Sequence, residues 1–521
     1  MSFTLGDWSV VIGYIVLVAV LGSLFYRKSA SSTDYFLSGR TMRAVPVAIS
    51  LVAADLSAAS MLGFPAWGYD HNLELLVGSL SYLLVAPIVI YIFLPFYSRL
   101  NLYTAYQYLE RRFNLPVRLV GSSLFLFTRG AHVAIVIYAP SIVLSLISGL
   151  SVVPCILIIG GVTTCYTALG GMKAVIWTDV LQFTILIVGT LSVCWLSVSR
   201  VPGGFSTVLH VASASGRLNL FNFSTNLHYL TSVWAMALGV GTLFLSQLGT
   251  DQAYIQRYFA TRSLSEARKS ILLDGLINIP VSGLLLLLGT VLYVYYHHYP
   301  QRLVGLPVKD AILPFFVIHE IPGVISGLII ASLFAASMAV MSAGINSLAT
   351  VTTVDFYYRL FRKDGQDAKV VRVGRIGTLC WGVAATVGAL FAGHLGPLVM
   401  AFNFINSFVA GPILGIFLLG MLTVRAKSTA TIAGAIVGLL VVSVTAAESR
   451  ISFFYFSFIG VCVTCICGYL LSLIGPAIDP SRLKGLVWMK RSPDCGNGIQ
   501  EETKGTEIGS EPNQGKLNAS L

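Results

Sequence analysis

The chain has 521 residues, of which 56% are hydrophobic and only 11% charged, and its mean hydropathy is +0.81. Soluble globular domains hold about a quarter charged residues. This composition therefore excludes a soluble protein with a single anchor and predicts a polytopic membrane protein. The net charge of +11 is then a matter of topology rather than of nucleic-acid binding, and cysteines confined to apolar stretches and the tail suggest no disulfide framework.

A helix that crosses a bilayer needs roughly 20 mostly apolar residues. Runs of this kind occur thirteen times, near residues 8–26, 44–68, 76–98, 119–147, 152–172, 175–199, 229–250, 271–296, 322–350, 374–394, 397–423, 429–447 and 452–475.

The distribution of Lys and Arg predicts the orientation, because cytoplasmic loops are enriched in both. With the N-terminus outside, most basic residues between the spans fall in inner loops. The outer segments hold only Arg200, Arg217, Arg302, Lys309 and Arg450. We therefore expect a multi-pass plasma-membrane protein with a cytoplasmic C-terminus. Its polar tail, residues 477–521, is predicted to be disordered.

Few ionisable residues fall well inside the predicted spans: Asp55, Arg129, His132 and Asp179, with Asp274 nearer a cytoplasmic end. A charge at the bilayer centre costs on the order of 3 kcal/mol, so such residues face a cavity or a partner. The two midspan aspartates favour a cation or proton role. Arg129 fits either an internal ion pair with an aspartate or recognition of an anionic substrate group.

The second predicted span combines Asp55 with helix breakers at Gly63-Phe64-Pro65. A discontinuous helix leaves carbonyl groups unpaired, which lipid does not tolerate but a polar cavity does. Transporters use such carbonyls to hold cations near the midplane, and often break the corresponding helix of a second repeat. Gly239-Val240-Gly241 in the seventh span is the candidate for that second break.

Five stretches together resemble the sodium/solute symporter family, whose members carry sugars, proline, pantothenate, monocarboxylates, vitamins and iodide. They are "SSTDYFLSGRTM" (31–42), "MLGFPAWGY" (61–69), "TALGGMKAVIWTDVLQF" (167–183), "GTDQAYIQRYFATRSLSEARKS" (249–270) and "GPILGIFLLGML" (411–422). The resemblance covers about residues 5–475. Two of the stretches look closer to the monocarboxylate, multivitamin and iodide branch than to the sugar branch.

The resemblance implies an all-α LeuT-type fold of about 13 transmembrane helices, in which ten core helices form two inverted repeats of five. The expected parts are a leading helix and loop (1–43), the first repeat (44–199), an extracellular loop (200–228), the second repeat (229–423), two further helices (424–476) and the tail (477–521).

The resemblance also implies a sodium site between the first and eighth core helices. The positions that follow from it are Ala53, Asp55, Leu56, Asp179, Ala336 and Ala339, and Ser342, one turn further along the eighth core helix, is a polar candidate that would face Asp179. The hydroxyl pair that family members place on the eighth core helix falls on Ala339 and Val340, which have no side-chain oxygen. Three interpretations stay open: sodium displaced towards Asp55, Asp179 and Ser342, a proton in place of sodium, or uncoupled transport.

For the substrate, the cavity that the resemblance implies lies between the first, third, sixth and tenth core helices. Its candidate residues are Ser60, Phe64, Arg129, His132, Trp234, Asn403 and Asn406. His132 is equally suited to hydrogen-bonded packing. Asn403 and Asn406 lie one turn apart, which suits a polar cavity lining or a hydrogen bond between helices.

The sequence therefore predicts a secondary transporter of a small organic solute, with an organic carboxylate as the favoured class. Sodium or a proton is the expected coupling ion, with no organic cofactor, no nucleic acid and no obligate protein partner. No nucleophile–base constellation, nucleotide-binding loop or metal-ligand spacing indicates an enzyme. A membrane sensor would need a folded output domain, which the tail is too short to supply, and a channel is disfavoured by paired broken helices.

Overall fold

The computed structural model describes residues 4–24, 31–306, 309–321, 323–361, 367–393, 398–448, 451–474, 476 and 478–488. The regular secondary structure of these residues is helical, and their only β-type pairing is an isolated bridge between Met42 and Thr261. The predicted all-α polytopic architecture is confirmed.

The described part of the chain forms helices that we number in chain order. They are α1 (Leu5–Leu24), α2 (Ser32–Leu37), α3 (Ala44–Asp55), α4 (Ala58–Asp70), α5 (Leu76–Leu80), α6 (Tyr82–Ile88), α7 (Leu94–Leu100), α8 (Tyr106–Arg112), α9 (Leu115–Ser148), α10 (Val152–Ser199), α11 (Gly204–Ala214), α12 (Gly241–Thr250), α13 (Gln252–Phe259), α14 (Leu264–His298), α15 (Ile312–Glu320), α16 (Val324–Val351), α17 (Asp367–Ala392), α18 (Leu398–Leu422), α19 (Ser428–Glu448) and α20 (Tyr455–Ser472). Wider π-helical turns occupy Val89–Phe93, Ala235–Val240 and Thr352–Phe361.

Ten helical segments are long and apolar enough to cross a membrane, or eleven when the bent pair α3–α4 counts as one span. At 1.5 Å per residue the 48-residue α10 is about 72 Å long, more than twice the ~30 Å hydrocarbon core. Gly171 interrupts it with φ 62° and ψ −164°. Dividing α10 there and adding the shorter apolar segment Ala235–Thr250 gives thirteen segments among the described residues.

The second span is broken beside Asp55, but not where the sequence placed the breakers. The helix axes of α3 and α4 differ by 66°, and the break consists of two extended residues, Leu56 and Ser57. The expectation of a break at Gly63-Phe64-Pro65 is wrong, because α4 continues through all three. Close backbone packing against α14 supports α4 around Pro65, whose carbonyl oxygen lies where a side chain at Gly289 would have to be.

The seventh span also differs from expectation. Gly239 and Gly241 lie where a π-helical turn runs directly into α12, so the helix is not interrupted there. Its break lies instead at Asp251, which is extended (φ −83°, ψ 122°) between α12 and α13. The Asp251 carboxylate accepts a hydrogen bond from the amide of Ala253 at 2.8 Å and so caps the start of α13.

The first part of the tail is ordered, unlike the disorder expected from residue 477. The side chains of Leu483 and Val487 are buried, and the Tyr108 hydroxyl donates to the carbonyl of Leu486 at 3.0 Å. Residues 478–488 contain apolar side chains, and burying them against the helices is favourable. The remainder of the tail is polar and has few such side chains. Residues 489–521 lie outside the described part of the chain.

An ion-pair cluster ties α8 and α9 to the segment after α16. Arg118 contacts both Glu110 (2.6 Å) and Asp355 (2.5 Å), and Arg359 contacts Glu110 at 2.5 Å. Burial favours the neutral acid, but the hydrogen bonds from Arg359 and Arg118 outweigh it and hold the pKa of Glu110 below its usual value.

We expect Gly171→Ala to lower the thermal unfolding midpoint of the purified protein, since the backbone at Gly171 is strained for any residue with a side chain. A Cβ there would lie 2.8 Å from the carbonyl oxygen of Tyr35, and such conformations cost about 1–3 kcal/mol. Gly161→Ala on the same helix is the control, because a Cβ at Gly161 meets nothing within 4 Å. Equal unfolding midpoints for the two variants would show that an alanine at position 171 is not strained.

Candidate functional site

The break between α3 and α4 leaves a row of carbonyl oxygens without hydrogen bonds. The last α-type bond of α3 runs from the Leu56 amide to Val52 at 3.0 Å, and the Ala58 amide donates to the Ser337 hydroxyl at 3.3 Å instead of continuing the helix. No hydrogen bond within the described structure reaches the carbonyl oxygens of residues 53–56. These oxygens, at the negative end of the α3 dipole, favour a cation.

Asp55 places a carboxylate at the same break. Its Oδ1 accepts a hydrogen bond from the Tyr254 hydroxyl at 3.1 Å, and its Oδ2 accepts one from the Asn278 amide at 2.8 Å. Both partners are neutral, so they orient the carboxylate without compensating its charge. The break therefore presents backbone oxygens and a carboxylate together.

A cavity of about 310 Å³ adjoins Asp55. Of the residues predicted to bind substrate, Ser60 and Phe64 line it, together with Gln247 and Asn278. The cavity extends along α4 towards its C-terminal end, the end predicted to face outside. There Lys309 pairs with Asp70 at 2.6 Å.

Asp179 belongs to a separate buried cluster. Its Oδ2 accepts hydrogen bonds from the Ser50 hydroxyl at 2.5 Å and from the Arg257 guanidinium at 2.9 Å. The Nε of Arg257 donates to the same Ser50 hydroxyl at 2.7 Å. The three side chains connect α3, α10 and α13, and the Asp179 charge is compensated by a guanidinium.

The predicted cation residues Ala336, Ala339 and Ser342 lie on α16, the helix that contacts the break through Ser337. Ser337, which receives the Ala58 amide, follows Ala336 directly, and all of these residues are buried. The Ser342 hydroxyl donates to the carbonyl of Ala339 at 3.0 Å. The contact between α16 and the break is thus made by the Ser337 hydroxyl.

Arg129 and His132 form a second ion-pair cluster rather than part of the cavity lining. Arg129 donates to the Asp251 carboxylate and contacts the His132 ring at 3.1 Å. Asp251 also lines a small cavity of about 30 Å³ with Asn406, and Gln247 lines both this cavity and the larger one.

Of the remaining two substrate candidates, one can be placed. Trp234 is 47% exposed and does not line it. The side chain of Asn403 lies outside the described part of the structure.

Three residues that complete these clusters fall between the predicted spans 229–250 and 271–296 and were not among the predicted site residues. Asp251, Tyr254 and Arg257 are spaced three apart in "GTDQAYIQRY", which places them along one side of α13. That spacing of ionisable and aromatic residues is the sequence feature that could have identified them. Asn278 is harder to identify from the sequence, because it is a single amide side chain in an apolar run.

A bundle of apolar spans, one of them broken beside a midspan carboxylate and a cavity, defines a membrane transporter of the LeuT-type fold. The solved structure of Mhp1, a nucleobase-cation-symport-1 family transporter, shares this fold with a TM-score of 0.58 at 12% identity, over 88% of this chain and 98% of that one. A solved outward-open Na⁺-coupled sialic acid symporter is more similar, with a TM-score of 0.85 at 26% identity over 92% of this chain and all of that one.

The chain belongs to the sodium:solute symporter family, whose sequence model matches residues 35–440. It is 30% identical to the sodium/sialic acid symporter NanT of Aliivibrio fischeri, over 88% of this chain and 92% of that protein. It is 33% identical to the sodium-coupled monocarboxylate transporter 1 of Homo sapiens, over 84% of this chain and 72% of that one. Like these relatives, it is a transporter and not an enzyme.

Removing either charge of the Asp179–Arg257 pair should strongly destabilise the protein, because the other is left buried and uncompensated. Asp179→Asn or Arg257→Met is expected to cost on the order of 3–5 kcal/mol. The double variant should unfold at a higher temperature than either single variant, as thermal unfolding in detergent would show.

The exposed Arg262–Glu266 pair (2.9 Å) serves as the control, since surface pairs contribute about 0–1 kcal/mol. Additive losses of stability in the Asp179–Arg257 double variant would mean that the two charges do not depend on each other.

Proposed function

We propose that the protein is a sodium-coupled symporter of a small organic carboxylate that works by alternating access in the plasma membrane. The observation that carries the proposal is the Asp55 carboxylate beside the unbonded carbonyls of residues 53–56, at a cavity large enough for a small solute. The basic inner loops support an external N-terminus and a cytoplasmic C-terminus.

Sodium is a hard cation that needs several oxygen ligands, as other hard cations do. In the proposal the carbonyls of Ala53 and Leu56 supply two, Asp55 supplies a charged one, and the backbone at Ala336 faces the break from α16. The charge of Asp55 compensates for the side-chain oxygens missing at Ala339. Asp179 contributes only if its ion pair with Arg257 opens.

The carboxylate of the solute is proposed to bind at the start of α4 rather than at Arg129. Arg129 is already paired with Asp251. In contrast, the N-cap residue Ser57 makes no side-chain hydrogen bond to α4, and Ala59 and Ser60, which follow the Ala58 amide bound by Ser337, line the cavity. The positive end of a helix dipole and its free amides bind anions.

This arrangement places sodium at the negative end of α3 and the carboxylate at the positive end of α4. The two half-helices therefore offer opposite charges to a cation and an anion at one break. The names of the relatives, which are symporters of sialic acid and of monocarboxylates, support the same class of solute.

Uptake into proteoliposomes tests the coupling, with sodium and proton gradients varied independently over a panel of small carboxylic acids. We expect an inward sodium gradient to drive accumulation. Asp55→Asn should raise the half-saturating sodium concentration at least tenfold, equivalent to about 1.4 kcal/mol, because a charged ligand is lost.

Asp70→Asn is the matched control, since Asp70 lines the same cavity at its outer end and pairs with Lys309. Accumulation that follows only the proton gradient, or neither gradient, would overturn sodium coupling. Unchanged sodium dependence in Asp55→Asn would remove Asp55 from the site.

Competition by neutral analogues tests the carboxylate class. For the acid that is taken up best, we expect the free acid to compete fully and its methyl ester or primary amide to compete at least tenfold more weakly. The reason is that the start of α4 distinguishes an anion from a neutral group. Equal competition by the ester would show that the solute is recognised without its charge.

A further inference from the structure

Asp274 is a buried acid that the proposed function does not use. It lies on α14, one helical turn before Asn278, and is 2% exposed. Its Oδ2 accepts a hydrogen bond from the Tyr82 hydroxyl at 2.6 Å. Its Oδ1 is buried and has no hydrogen-bond partner in the described structure. A buried carboxylate oxygen left unpaired is rare, because it loses its hydration without replacement.

Among the described residues, no cation forms an ion pair with Asp274. Arg257 is the cation that interacts with it electrostatically, but that guanidinium is held by Asp179, Ser50 and the carbonyl of Ala253. The other ionisable groups facing Asp274 are Tyr82 from α6, Tyr254 from α13 and Asp55 from α3. Asp55, the other acid that interacts with Asp274, is likewise hydrogen-bonded by neutral side chains.

Asn278 contacts Asp55 from α14, the helix that also carries Asp274. Its amide donates to Asp55 at 2.8 Å and its oxygen accepts from Ser282 at 3.2 Å. Asn278 and Ser282 line the cavity, while Asp274 lies one turn nearer the N-terminus of α14. Asp274 thus interacts electrostatically with Asp55 and lies one helical turn from Asn278, which lines the cavity.

An isolated carboxylate in such a site is neutralised rather than left charged. A metal ion would need several oxygens around Oδ1, and no group of three or more His, Cys, Asp or Glu side chains that could hold one occurs among the described residues. A proton needs only the one free oxygen. We propose that Asp274 is a proton-binding site, with the proton on Oδ1, and that this proton is released when a cation occupies Asp55.

The direction of the linkage follows from charge. Protonated Asp274 is neutral and does not attract a cation to Asp55, whereas ionised Asp274 does. Acid pH should therefore weaken sodium binding, and sodium binding should release a proton, because the two effects are reciprocal. The linkage rests on the function proposed above; the proton site itself does not.

Infrared difference spectroscopy of the full-length protein in lipid tests the proton site without substrate or sodium. We expect a deuterium-sensitive C=O stretching band of a protonated carboxylic acid, lost in Asp274→Asn. Asp7→Asn is the control and should keep the band, because the buried Asp7 accepts hydrogen bonds from Thr4, Ser326 and Gly327 on both oxygens. Tyr82→Phe should shift the band, which gives a second readout if Asp274→Asn folds poorly.

Sodium binding, followed by tryptophan fluorescence over a range of pH, tests the linkage. In the unmodified protein the sodium affinity should fall on the order of tenfold from neutral to acid pH. In Asp274→Asn it should stay near the acid value throughout the neutral range. A band that persists in Asp274→Asn, or its absence from the unmodified protein, overturns the proton site.

An unchanged pH dependence of sodium binding in Asp274→Asn overturns the linkage. Failure to bind sodium at any pH would instead overturn the function proposed above, while the infrared result would still decide the proton site.

Discussion

The interruption of a membrane helix at Leu56 and Ser57 governs the rest of this structure. Each backbone polar group left unpaired in hydrocarbon costs several kcal/mol, so four free carbonyls must be enclosed by protein. The protein encloses them by packing α14 and α16 closely around the break. Gly289 permits α14 to approach the Pro65 carbonyl, and Ser337 accepts the first amide of α4. The cavity exists because the broken helix is surrounded on these sides.

The buried charges are divided unevenly around this break. Arg257 and Arg129 are each paired with one aspartate, Asp179 and Asp251 respectively. Asp55 has only neutral hydrogen-bond partners. Fixed ion pairs therefore hold the helices in register, while the acid at the cavity keeps its charge available. Such a site attracts cations, because no Arg or Lys side chain among the described residues is hydrogen-bonded to Asp55.

Hydropathy was sufficient to predict the bundle, because a run of about 20 apolar residues has few alternatives in a bilayer. It also separated the two halves of α10, where Gly171 adopts a backbone conformation that other residues avoid. The position of the break was not predictable from composition. Leu56 and Ser57 carry no breaker signal, whereas Pro65, which does, lies inside a continuous helix. Likewise, nothing local to Arg257 shows that it is buried, since its partner Asp179 is 78 residues away.

The short helix α13 brings these separate features together. From one side of its eight residues and its capping residue, Asp251 holds Arg129, Tyr254 holds Asp55, and Arg257 holds Asp179. Because α13 is short and rigid, a shift or rotation of the helix alters all three contacts together. Any displacement of α13 therefore changes the surroundings of Asp55, Asp179 and Asp251 together.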